Sequence, residues 1–205
     1  LNLSAFETRL NEKRPFFVQG ANFFSSWMRV FNSRRIGQRP GFIKPDSGDI
    51  VDQPNETTIL SAAKVLGETS TGVKYGIINA ITNQEYASLE FEKDGKTVKK
   101  DFLIEPYSNY FVGRITKPFI NDLSEIGFMA TDLKRNGYSD IATSLKGDFL
   151  INLLDNKFSL TGEYGSTIND RKTGFGGRYR ISYRHPVLWE LATWGGFYDN
   201  KWDVG

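Results

Sequence analysis

Between Ile141 and Leu153 apolar and polar residues alternate with a period of two. Ile141, Leu145, Phe149, Ile151 and Leu153 fall on one face, and Ala142, Ser144, Lys146, Asp148 and Asn152 on the other. Period two places alternate side chains on opposite sides of a strand, so this is a strand with one oily and one hydrophilic face. The next segment repeats the pattern: Phe158, Leu160, Gly162 and Tyr164 oppose Ser159, Thr161, Glu163 and Gly165. Asp155-Asn156 separates the two, and both residue types tolerate the positive φ of a two-residue hairpin turn. Pairing across it sets Leu153 against Phe158 and Ile151 against Leu160, so the oily faces coincide. A third run follows, in which Gly177, Tyr179, Ile181 and Tyr183 alternate with Arg178, Arg180, Ser182 and Arg184.

Further strands are predicted over 57–67, 72–82, 108–117, 122–132 and 187–198, with a weaker one over 32–37. Residues 83–107 form a long connection expected to carry its own hairpin at Asp94-Gly95. The connections at 68–71, 118–121, 155–156 and 185–186 look short; those at 133–139 and 166–173 look longer. Tight turns at one end and longer loops at the other are the mark of an outer-membrane barrel. Ahead of the strands, 3–10 has the pattern of a short amphipathic helix with Ser4 as N-cap and Glu7 three residues on. Residues 41–56 are rich in Pro, Gly and Asp and are expected to be a loop.

Composition narrows the chemistry. The 205 residues carry 26 Lys+Arg and 24 Asp+Glu, a net charge of +2 that makes no electrostatic case for nucleic acid. Cysteine is absent, which excludes disulfides and thiolate chemistry, and the single histidine excludes a multi-histidine metal site. No stretch reaches the ~20 apolar residues of a membrane helix. A hydrophobic fraction of 39% leaves a transmembrane barrel open, because its strands alternate. The sequence starts at Leu1 and carries no evident stop after Trp202, so it is expected to be part of a longer polypeptide.

Lys146, Asp148, Glu163, Arg178 and Arg180 all fall on the hydrophilic face. Five such charges cannot sit in a dry core without partners. Asp148 opposite Glu163 is repulsive alone, so Arg178 and Arg180 are expected to complete a carboxylate–guanidinium network across three strands. The alternative is a soluble sheet with its charges in water: an all-β carbohydrate-binding module using Trp189, Trp194 and Trp202 as stacking platforms. Other candidates are weaker. His185, beside Pro186, fits a turn residue better than a catalyst. Gly174 to Gly177 fits a strand bend or close approach better than a phosphate loop. Asp46, Asp49, Asp52 and Glu56 lack calcium-loop spacing. Asp148 and Glu163, beside arginines, suit a salt-bridge network better than a glycosidase pair. Arg34-Arg35 is too short for a nucleic-acid patch.

LSAFETRLNEKRPFFVQG at 3–20 and FNSRRIG at 31–37 resemble a known family, as do ILSAAKVLGETSTGVKYGIINAIT at 59–82, YFVGRITKPF at 110–119 and SEIGFMAT at 124–131. That family is domain of unknown function 5916. EKRPFF at 12–17 together with SRRIG at 33–37 is the most specific part. The resemblance implies an outer-membrane protein of Gram-negative bacteria, in which a domain similar to carbohydrate-binding family nine often precedes a large β-barrel. It implies that the chain begins after that domain and stops before the barrel is complete. It supplies no catalytic residues.

The reading is therefore an all-β protein: an antiparallel up-and-down transmembrane β-barrel, partial and belonging to a larger barrel, with a short N-terminal non-barrel segment. Residues 1–30 are expected to form a plug-like or periplasmic segment and 31–205 the barrel strands. The expected role is transport, docking or assembly at the bacterial outer membrane, without enzymatic activity, cofactor or metal. The expected partners are outer-membrane lipids, other outer-membrane or periplasmic proteins, and the remainder of the same polypeptide. The five charges named above are expected to line the lumen.

Overall fold

A computed structural model describes residues 12–41, 49–93, 96–137, 141–169 and 171–204. The helix expected over 3–10, Asp46 and the Asp94-Gly95 turn lie outside the described residues. Two single-turn helices, α1 (Pro15–Val18) and α2 (Ala21–Phe24), and a 3-10 turn at Ser33–Arg35 precede the strands. These are β1 (Asp49–Asp52), β2 (Ile59–Glu68), β3 (Lys74–Thr82), β4 (Glu85–Lys93), β5 (Lys96–Glu105), β6 (Ser108–Phe119), β7 (Asn121–Arg135), β8 (Ile141–Leu153), β9 (Phe158–Asn169), β10 (Lys172–Arg184) and β11 (Glu190–Tyr198).

Eight strands form one antiparallel sheet in the order β11-β10-β9-β8-β7-β6-β3-β2, and β1, β4 and β5 form a second, three-stranded sheet. The hairpin β4–β5 continues β3 and β6 beyond Thr82 and Ser108, which are themselves paired. The large sheet is not closed: β2 and β11 are its two edges.

The predicted hairpin register holds, with Leu153 opposite Phe158 and Ile151 opposite Leu160. The Lys157 N–H donates to the Leu154 carbonyl at 3.1 Å, and Asp155 and Asn156 have φ of 55° and 64°. That is the mirror-image turn whose twist matches the strands. Three expectations fail. Within the stretch 41–56, expected to be a loop, Asp49–Asp52 pair with β4 as a strand. Residues 32–37 turn as a 3-10 helix, because the Asn32 side chain accepts from the Arg34 N–H and caps it. The alternation of short and long turns fails too: β9 and β10 extend until only 170–171 separate them, whereas 185–189 separate β10 from β11. Cross-strand pairing carried the ladders through residues that had the composition of loops.

The core lies on the sheet's hydrophilic side. Residues 14–37 fold across that face and bury Phe17, Phe24, Met28, Val30 and Ile36 against Ile78, Ala80, Val112 and Met129. Gly20, at φ 70°, makes the sharp joint between α1 and α2. After β11 the chain doubles back over the same face: Trp202 packs on Tyr198 at 5.4 Å, and the Asp203 N–H donates to Thr167 Oγ1. Gly174 permits this, since a Cβ there would lie 2.4 Å from the Lys201 backbone.

The apolar face is the exposed one. Ile115, Phe128, Phe149, Tyr164, Phe175 and Tyr179 all stand on it, open to the surroundings. Several of its aromatic rings lie over a glycine on the next strand. A Cβ on Gly162 would meet the Phe149 ring at 2.5 Å, and one on Gly195 the Tyr179 ring at 2.9 Å. The rings thereby cover backbone that a glycine leaves bare.

Candidate functional site on the polar face

The charges expected on the hydrophilic face divide into two groups. Lys146 is fully buried, with its ammonium 2.8 Å from Asp148 Oδ1 and 3.1 Å from Glu163 Oε1. Arg114, which the sequence reading missed, donates to Asp148 Oδ2 at 2.8 Å. It reaches from β6 to β8 across β7 because Gly127 stands between; a Cβ there would sit 2.6 Å from Asp148 Oδ2. Two carboxylates facing each other on β8 and β9 are thus balanced by two cations. Arg178 lies opposite Glu163, as the register requires, but its guanidinium donates to the Trp27 carbonyl at 3.1 Å. Arg180 pairs with Glu190 at 3.0 Å. The expected three-strand network through Arg178 and Arg180 is therefore replaced by one through Arg114 and Lys146. Arg114 was hard to find because the β6–β7 ladder shifts register between Pro118 and Phe119, so its partners cannot be counted from the short turn alone.

The same cluster fixes the covering segment. Glu163 accepts the backbone N–H groups of Trp27 at 3.1 Å and Met28 at 2.6 Å. Arg114 donates to the Ser25 carbonyl at 3.1 Å. Residues 25–28 thus hang on side chains of β6, β9 and β10.

A second cluster closes the segment on itself. Glu12 accepts from the Arg14 guanidinium and from the Ser33 hydroxyl at 2.8 Å, while Arg14 donates to the Ser33 and Ile36 carbonyls. EKRPFF and SRRIG are two halves of one clasp. The hydrogen bond from the Arg14 guanidinium, aided by those from the Arg14 backbone and Ser33, lowers the Glu12 pKa to about 2 against the opposing effect of burial.

Toward the turns at 120, 154–157 and 185–189 no described residue covers the polar face. Two adjoining cavities of 840 and 640 Å³ share Trp27 and Arg180 in their walls. Asn152, Ser159 and Ser182 line the floor of the second.

The remaining candidates separate. His185 sits in the 185–189 turn, its ring stacked on Trp189 at 5.8 Å. Trp189, Trp194 and Trp202 form no common platform: Trp202 is part of the returning tail, Trp189 is in the turn, and Trp194 stands on β11. Asp49 and Asp52 lie on β1. Among the described residues, no group of three or more His, Asp or Glu could hold a metal, and no helix is long and apolar enough to cross a membrane.

A family model described as Domain of unknown function (DUF5916) matches residues 1–203. The chain belongs to the DUF5916 family. No curated protein and no solved structure matches this DUF5916 chain.

Proposed function

We propose that this DUF5916 chain is a section of a transmembrane β-barrel of the bacterial outer membrane, serving passage, docking or assembly there rather than catalysis. One observation carries the reading: the sheet's oily face is exposed while its charged face holds the core. Phe128 and Tyr164 are 49% and 56% exposed, and Lys146 is 1% exposed. A sheet in water gains by turning its apolar face inward, so the inverted arrangement calls for an apolar surrounding.

Dimensions support it. From Leu145 to Leu153 the apolar face of β8 runs about 26 Å at ~3.3 Å per residue, close to the ~25 Å apolar band of membrane barrels. On β7 the same face turns charged at Asp132 and Lys134, which bounds the band. The charged hairpin β4–β5 lies beyond that boundary.

Free edges at β2 and β11 cannot stand in lipid, so further strands, from the remainder of the polypeptide, close the ring in this reading. Residues 14–37 then act as a plug seated on the lumen side, and Arg114, Glu163 and Arg178 anchor it from the wall.

The test is the location of the full-length protein in Gram-negative cells. It is expected in outer-membrane fractions, resistant to carbonate and released only by detergent. Recovery in the soluble fraction without detergent would contradict the reading.

A further inference from the structure

The uncovered half of the polar face carries unbalanced positive charge beside two open indole rings. Arg178, Arg180, Arg184 and Lys157 line the adjoining cavities, and among the described residues Glu190 is the one carboxylate in their walls. Glu190 is shared between Arg180 and Arg184. Arg178 faces Glu163 in register, yet that carboxylate is already occupied by Lys146 and two backbone N–H groups. Gly196, opposite Arg178, leaves room for the arginine stem: a Cβ there would lie 2.9 Å from Arg178 Cγ. Trp27 and Trp194 flank the two guanidinium groups, 42% and 70% exposed. Beyond them Asn152, Ser159 and Ser182 offer neutral amide and hydroxyl groups.

We infer that this groove binds a small acidic, hydroxyl-bearing solute, its carboxylate or phosphate on Arg178 and Arg180 and its hydroxyls toward Asn152 and Ser182. Guanidinium groups recognise planar oxyanions by paired hydrogen bonds, and ring faces of Trp27 and Trp194 enclose the body of the ligand. The inference goes beyond the barrel reading and stands without it, because binding can be measured in detergent solution whichever surface the apolar face meets.

The test is binding of glucuronate and glucose 6-phosphate to the detergent-solubilised full-length protein by saturation-transfer NMR, with neutral glucose as comparator. At least one acid is expected to bind, with glucose at least about tenfold weaker, since a hydrogen bond to a charged group is stronger than one between neutral groups. Arg180→Gln should weaken the acid about tenfold, and Arg171→Gln, just before the opposite end of β10, should not. Among the described residues the Arg180 guanidinium hydrogen-bonds to Glu190 on the edge strand, so an unchanged thermal transition in Arg180→Gln shows that the loss is not unfolding. Absence of binding by both acids at millimolar concentration would overturn the inference. So would equal binding of glucose, or undiminished binding by Arg180→Gln.

Discussion

Lys146 and Phe149 stand three residues apart on β8 and experience opposite surroundings: the lysine is 1% exposed and the phenylalanine 36%. In an ordinary soluble sheet the two would be exchanged. Here the lysine sits among two carboxylates and the phenylalanine lies over Gly162 on the exposed face. Each is satisfied by a neighbour on the next strand, which makes the inverted sheet internally consistent rather than merely unusual.

Lys146→Ala removes the one cation that touches both carboxylates. Breaking a buried ionic group by deleting one partner typically costs ~3–5 kcal/mol. A loss of that size is expected in the denaturant-unfolding free energy of the folded protein. Adding Glu163→Gln to Lys146→Ala should recover part of it, because one uncompensated charge is then gone. A double variant less stable than the single one by the full cost of each would contradict the cluster as described.

Glu163→Ala should release the turn at 25–28 without unfolding the sheet. Two backbone hydrogen bonds to a carboxylate are lost, each worth ~1.5–3 kcal/mol. Hydrogen exchange at the Trp27 and Met28 amides is expected to quicken at least about tenfold. The Val18 amide, bonded to the Arg14 carbonyl, should change much less. Equal acceleration at all three would mean general loosening instead.

The Glu12 clasp predicts a pH dependence. Its folded pKa, about 2, lies below the ordinary carboxylate value of 4.5. A depressed acid binds more protons in the unfolded chain, so its stabilisation is complete above pH 4.5 and is lost as pH falls toward 2. Glu12→Gln should therefore weaken protection of the amides of 33–36 at neutral pH. The difference from the unmodified chain should shrink between pH 4.5 and 2. A difference that is constant over that range would exclude the carboxylate as the cause.

Strand pattern was legible where a turn fixed the register. Asp155-Asn156 and the alternation around it placed Phe149, Leu160 and Tyr179 on one face and Lys146, Glu163 and Arg178 on the other, as the pairings show. The partners of those charges were not legible. Arg114 meets Asp148 only because β6, β7 and β8 are aligned so that Gly127 falls between them, and the register shift between Pro118 and Phe119 hides that alignment. The fold of residues 14–37 was hidden for a related reason. Its helices are single turns, too short for a periodic signature, and it is held by side chains distant in sequence. The EKRPFF and SRRIG stretches stood out as a pair before their shared clasp was visible.

The central claim is that the apolar face meets lipid and the polar face does not. Because these 205 residues contain no cysteine, single cysteines can be placed at Phe128, Phe149 and Tyr179 on one face and at Ser159 and Ser182 on the other, with any cysteine in the rest of the polypeptide replaced by serine. Each would carry an environment-sensitive fluorophore in the full-length protein folded into vesicles, with brominated acyl chains as quencher. Strong quenching is predicted at 128, 149 and 179, and little at 159 and 182; the same weak quenching at all five positions would contradict it.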